Sequence, residues 1–293
     1  MFDLRYHVAS LAAVFFALVI GILVGVALAS HGLGNAERKK LEAELHGAQG
    51  QVTDLKGTIE EDRAETEFTN AAYDAVMANR LRGARVAVLF VGPVDAGLRK
   101  AVGDTLNDSG ASVARMRAIV VPVDPAKIQS AVTKRPALAT YATGRTRFSN
   151  IGRELAGEFV SGGDMPLWDA LDQQLVETRV GTKRPADAVV VVRTADPQTQ
   201  RASAQIVSGL FAGLADAGMP AVGVESRGAF PSAVKTYKHW GLSSVDDIDL
   251  RVGRVALAVL LSSAGIKGNF GGQDVDDSFV PQIPPVIVPT TGG

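Results

Sequence analysis

The chain has 293 residues, with 30 Lys and Arg against 31 Asp and Glu, for a formal net charge of −1. That balance argues against bulk binding to nucleic acid or to anionic lipid. Cysteine is absent, which excludes disulfides, zinc ribbons, iron–sulfur clusters, thiol catalysis and thiolate copper sites.

The mean hydropathy of +0.14 is high, and much of the excess lies at the start. Residues 8–30 carry no charge, and residues 11–29 are almost wholly apolar. A helix of that length spans roughly 33 Å, enough for a bilayer core. A buried soluble helix would need a polar face, which is lacking. Ala27-Leu28-Ala29 has the small-x-small pattern of a signal-peptide cleavage site. An uncleaved anchor is the preferred reading, because the apolar run exceeds a usual signal core. Asp3, Arg5, Tyr6 and His7 form a short polar lead, read as cytoplasmic. Basic residues flank both ends, with Arg38, Lys39 and Lys40 after the segment, so charge alone leans toward a cytoplasmic C-terminal side. Small residues recur every fourth position at Ala9, Ala13, Ala17, Gly21, Gly25 and Ala29. The Gly21–Gly25 pair is a GxxxG, which allows close helix association in lipid.

Residues 37–67 hold nine acids and five bases. Leu41, Leu45, Ala48, Val52, Leu55 and Ile59 follow alternating spacings of four and three, a heptad seam. The register continues weakly through Asp62, Thr66 and Thr69 to Tyr73 and Val76. We expect a coiled-coil stalk and a homodimer, with Gly47, Gly50 and Gly57 softening the helix.

Beyond Gly83 the pattern changes again. Residues 85–91 form a continuously apolar strand of the kind covered on both faces. Residues 96–106 predict a helix ending near Gly110, and 112–121 a second strand. Residues 187–192 predict a third strand, 197–217 a helix, 220–225 a fourth strand and 250–264 a final helix. The middle, 124–182, reads as mainly helical. Strands alternating with helices predict a mostly parallel α/β sandwich. The expected organisation is an anchor (1–31), a stalk (32–82), an α/β domain (83–272) and a disordered Pro-rich tail (273–293).

No enzyme chemistry emerges from the motifs. The first strand–helix corner, Val91-Gly92-Pro93-Val94-Asp95, lacks both GxGxxG and GxxxxGK[ST], and no GxSxG, HExxH or CxxC occurs. Ser161-Gly162-Gly163-Asp164 reads as a turn. The histidines are scattered: His7 and His31 flank the apolar segment, His46 lies on the stalk and His239 precedes Trp240. Met77, Met116, Met165 and Met219 form no MxxM. Asp274, Asp276 and Asp277 lack the glycine and terminal glutamate of a calcium loop. No catalytic, cofactor or metal residue is assigned. The candidate functional residues are those of dimerisation: Gly21, Gly25, Leu41, Leu45, Val52, Leu55 and Ile59.

Two segments carry a resemblance. Phe2-Asp3-Leu4-Arg5-Tyr6-His7-Val8-Ala9-Ser10-Leu11-Ala12-Ala13-Val14-Phe15 resembles the start of the MctB family, actinobacterial copper transport proteins that include SteB-like division factors. Ser244-Val245-Asp246-Asp247-Ile248-Asp249, Gly253-Arg254-Val255-Ala256-Leu257 and Gly268-Asn269-Phe270-Gly271 are similar to that family's C-terminal signature. The resemblance implies a role in copper homeostasis or efflux, an envelope location that includes the outer membrane, and a globular domain outside the cytoplasm. It also implies an alternative: a dimeric scaffold that partners SteA in controlling cell-wall hydrolysis at division. Copper enters only through this resemblance, since a chain without cysteine or clustered methionine builds a tight Cu(I) relay with difficulty.

Overall fold

A computed structural model describes residues 4–29, 35–196, 200–272 and 278–285. The chain divides into two compact units, Met1–Thr66 and Glu67–Gly293. The second is called the head below.

In the first unit, α1 (Leu4–Ala29) contains the window Ser10–Ala27, of mean hydropathy 2.7 and without burial. It is the one helix among the described residues long and apolar enough to cross a membrane, a test that a signal sequence also meets. The next helix, α2 (Asn35–Met77), runs for 43 residues, about 64 Å at 1.5 Å per residue. Along it Leu45, Leu55 and Ile59 are 40, 61 and 64 % exposed. Leu41 and Val52 are half-buried. A Cβ added at Gly21, Gly25, Gly47, Gly50 or Gly57 would meet nothing within 4 Å.

The last turns of α2 belong to the head. Tyr73 and Met77, with Leu81 just beyond, are buried in its core, and Val76 packs against them. Tyr73 donates its hydroxyl to Asp108 Oδ2 at 2.8 Å, and the Arg251 guanidinium lies 4.8 Å over its ring. The seam that is exposed at Leu55 and Ile59 is therefore continued, at Tyr73 and Val76, by residues that pack inside the chain.

The head is built on a seven-stranded sheet in the order β3-β2-β1-β4-β5-β6-β7. Its strands are β1 (Arg85–Val91), β2 (Ser112–Ile119), β3 (Val176–Gly181), β4 (Ala188–Arg193), β5 (Ala221–Val224), β6 (Ser243–Val245) and β7 (Asn269–Phe270). All neighbours pair in parallel except β3, which runs antiparallel to β2. The central strands alternate between two cores: Ala87, Leu89, Val91, Val189 and Val191 face one, while Val86, Val88, Phe90, Val190 and Val192 face the other. This double burial is why β1 and β4 read as unbroken apolar runs.

The first core is covered by α4 (Pro125–Thr133), a 3-10 helix (Pro136–Ala142), α5 (Arg147–Ser161), α6 (Pro166–Ala170), α7 (Asp172–Leu175), α8 (Arg201–Asp216) and α9 (Val234–His239). The second is covered by α3 (Ala96–Asp108), α10 (Arg251–Ser262) and the end of α2. Helices α5 and α8 meet backbone to backbone. A Cβ on Gly152 would stand 2.8 Å from Leu210 N, one on Gly209 2.8 Å from Ser149 Cα, and one on Gly213 2.7 Å from Ala156 Cβ.

The mostly parallel sandwich expected from the sequence is present, with three differences of detail. The helical middle ends at Leu175 and gives way to β3, which pairs on one edge only, so no continuous apolar run marks it. Strands β6 and β7 have three and two residues, too few for a periodicity. Third, residues 278–285 pack on the head rather than trail from it: Pro281 is buried, Val280 touches the second core, and Arg80 Nη1 donates to the Pro284 carbonyl at 3.1 Å. The remainder of that tail, with Asp274, Asp276 and Asp277, lies outside the described residues, as do His31 and the start expected for α8.

Two arginines of β2 are buried. Arg115 donates to the carbonyls of Phe159 and Arg184. Arg117 lies 4.5 Å over the Trp168 ring and donates to Met165 Sδ at 3.2 Å. Glu158, also buried, accepts from the backbone N–H groups of Leu167 and Trp168. Burial pushes its carboxyl up despite those bonds.

Candidate functional site at the strand switch point

In a parallel sheet with connections on both faces, a crevice opens where successive crossovers leave in opposite directions. Here that point lies between β1 and β4, because β1 leads outward to β2 and β4 leads the other way to β5. A cleft of about 430 Å³ sits there, lined by Pro93, Val94, Asp95, Leu98, Arg193, Thr194, Ala195, Asp196, Glu225, Ala229, Phe230 and Pro231.

Local chemistry builds its walls. Gly92 ends β1 with φ of 106°, a conformation glycine adopts at no steric cost. A Cβ there would come within 2.6 Å of the Ala195 Cβ, so only glycine lets the two corners close. Thr194 donates its hydroxyl to the Pro93 carbonyl at 2.6 Å, tying the corners together. Arg193 Nη2 donates to the carbonyls of Pro231 and Ser232 at 3.0 and 3.1 Å, which holds the β5–α9 loop against the cleft. Beneath it the buried Tyr237 hydroxyl accepts from Arg193 N at 3.1 Å. Its ring occupies the space that a side chain at residue 223 would need, and burial raises its pKa far above the ordinary phenol value.

A phosphate cradle is excluded by the same corner. The N-terminus of α3 is capped by Asp95, whose Oδ1 accepts from Leu98 N at 2.8 Å. A carboxylate thus occupies the position where a helix start would hold an anion, and Pro93 offers no N–H. Glu225 closes the floor. It is buried, and its oxygens accept from Ser232 Oγ and Ala233 N, each at 2.6 Å. Burial still pushes its carboxyl up.

A second acidic feature adjoins the ends of β5 and β6. Asp246 and Asp247 are 1 and 2 % exposed. Asp246 Oδ1 accepts from Gly272 N at 2.9 Å, and a side chain at Gly271 would collide with that carboxylate. Asp247 lies against Gly253 in the first turn of α10, and neither of its carboxyl oxygens has a hydrogen-bond partner. Burial, then the charges of Asp246 and Asp249, push it up to about 6. Asp249 Oδ1 accepts from Arg227 N at 2.7 Å. Motif reading overlooked this buried loop as a site, because a run of aspartates reads as solvated.

The soft donors are spent elsewhere. Met77 and Met165 are buried in the cores and Met116 and Met219 are half-buried against them. His46 and His239 are exposed, the latter edge-on to Trp240 at 5.1 Å. Among the described residues no group of three or more His, Asp or Glu side chains is arranged to hold a metal ion. The residues expected to dimerise, Gly21, Gly25, Leu41, Leu45, Val52, Leu55 and Ile59, lie on α1 and α2, within the first unit and apart in sequence from every residue of the cleft.

A family model described as "Copper transport outer membrane protein, MctB" matches residues 1–281. The chain belongs to the MctB family. No curated protein matches it. The match runs from α1 to Pro281, so it takes in the anchor candidate, the long helix, the sandwich and the start of the packed C-terminal segment. The three C-terminal segments resembling MctB proteins meet in space: Gly271 and Gly253 leave room for Asp246 and Asp247. The family description connects the chain with copper transport and the cell envelope.

Proposed function

We propose that the chain is a single-pass envelope protein of copper homeostasis whose α1 remains as an anchor, whose α2 forms a parallel dimeric coiled coil, and whose head is an extracytoplasmic, non-enzymatic recognition domain. Its part in copper efflux is exercised through partners rather than by a metal relay of its own. The observation that carries this reading is the seam of α2: Leu55 and Ile59 are 61 and 64 % exposed on an otherwise charged helix, an arrangement that a second helix would bury. Burying each such side chain contributes about 1.5–3 kcal/mol.

Because the chain has no cysteine, single-cysteine crosslinking tests the dimer directly. Oxidation of Leu55→Cys in native membranes is expected to give a covalent dimer, and Glu61→Cys, off the seam, little or none. Equal crosslinking at both positions would remove the coiled coil.

A second reading makes the same dimer a scaffold for a SteA-like partner in wall hydrolysis. It is favoured by the scatter of the methionines: Met77 and Met165 are buried in separate cores, and Met116 and Met219 are half-buried against different ones. A deletion strain separates the two. Under the copper reading it accumulates copper at normal division; under the scaffold reading it divides abnormally at normal copper content.

A further inference from the structure

The switch-point cleft has a charge and shape that neither reading uses. Three carboxyl side chains line it, Asp95, Asp196 and Glu225, against the single guanidinium of Arg193. That guanidinium is turned to the Pro231 and Ser232 carbonyls. The helix start that would attract an anion is occupied by Asp95. At the rim Phe230 is 97 % exposed, a large ring held in solvent by a loop that Arg193 and Glu225 pin from beneath. The cleft continues past Asp95 and Leu98 into a neighbouring depression of about 330 Å³ that reaches Asp249, and there Lys100 and Arg254 are both paired with Asp104. The two together form an elongated groove rather than a closed chamber.

We propose that this groove binds an extended, basic segment of a partner protein, with an arginine or lysine side chain inserted between Asp196 and the Phe230 ring. A carboxylate and an aromatic face together select a cation with an apolar stem, the cation by charge and by the ring quadrupole, the stem by contact. An inorganic cation is the poorer occupant, since the carboxylates do not converge on a point. A small amine is poorer too, because the groove is open along its length and leaves most of such a ligand in water. The inference is independent of whether copper or division is the physiological output.

The test uses the full-length protein in nanodiscs of neutral lipid and a fluorescein-labelled alternating arginine–valine hexapeptide, read by anisotropy. Saturable binding is expected, with Phe230→Ala and Asp196→Asn each weakening it about three- to tenfold. Phe230 is exposed and Asp196 lies at the rim, so neither change removes core packing. The acidic α2 is a competing site, so Glu60→Gln with Glu61→Gln serves as the comparison and is expected to change binding less than about twofold. The proposal is overturned if the α2 pair matters as much as the cleft variants, or if the cleft variants have no effect. It is equally overturned if a glutamate–valine hexapeptide binds as well, or if free arginine amide displaces the probe at equal concentration, which would make the groove a small-amine pocket.

Discussion

Adding one methyl group at Gly209 is expected to lower the melting temperature of the head by about 5–15 °C, a loss of about 2–4 kcal/mol. In an ordinary helix the same Gly→Ala change stabilises by up to about 1 kcal/mol, because it restricts the unfolded chain. The sign reverses here because α5 and α8 touch through their backbones. A Cβ on Gly209 enters the Ser149 peptide, and one on Gly152 enters the Ile206 peptide. Neither neighbour is a flexible side-chain end, so the helices must separate and the packing of Ile151, Leu155, Ile206 and Leu210 on the sheet loosens with them. Gly157 supplies the control. It lies on α5 as well, yet a Cβ there meets nothing within 4 Å. Gly157→Ala is therefore expected to raise stability by about 0.5–1 kcal/mol. Tryptophan fluorescence reads the head alone, since both tryptophans, Trp168 and Trp240, lie in it. Wild-type or higher stability for Gly209→Ala would show that the crossing is looser than described.

Asp247→Asn is expected to stabilise the head by about 1–3 kcal/mol above pH 7 and to have little effect below pH 4. The carboxyl is 2 % exposed, has no hydrogen-bond partner and is pushed up to about 6 from 3.8. A raised carboxyl pKa means that the folded state holds a proton which the unfolded state releases between pH 4 and 6. Stability contributed by this group is thus complete at low pH, falls as pH rises from about 4 through 6, and levels off above about 7. The groups around it set the direction: Asp246 and Asp249 oppose its ionisation, and Arg227 partly offsets them. Asparagine keeps the shape and removes the charge. Urea unfolding at a series of pH values checks this. Parallel curves for the two proteins would mean that Asp247 finds a partner in solution, and a less stable variant at pH 8 would mean that the partner is a cation.

How far the architecture could be read beforehand depended on burial. Strands buried on both faces announce themselves, as β1 and β4 do, because every residue is apolar. The helical reading of the middle takes in α4, whose start Asp124 caps by accepting from Ala126 N and Lys127 N at 3.0 and 3.1 Å. Side-chain burial that depends on tertiary partners stayed hidden, even within β2, which was read as a strand. Arg115 and Arg117 give β2 an outward-facing look, yet both lie inside, because carbonyl oxygens and an indole ring satisfy them. The cleft was visible only as a corner without a phosphate motif. Its substance comes from residues far apart in sequence, Asp95, Arg193, Glu225 and Phe230, brought together by strand order. Asp247 was least legible of all, since the glycine that admits it stands six residues away on another element.

The bond from Arg80 to the Pro284 carbonyl has a practical corollary. The chain enters the sandwich at Leu81, buried, and is back beside that entry when it reaches Pro284. Entry and exit share one doorway, so the sandwich is topologically a plug-in cassette. It should tolerate transplantation between two helices of a host protein. Conversely, a label placed at Pro284 would sit at the foot of the sandwich, leaving the groove at the opposite, carboxyl ends of the strands clear for titration.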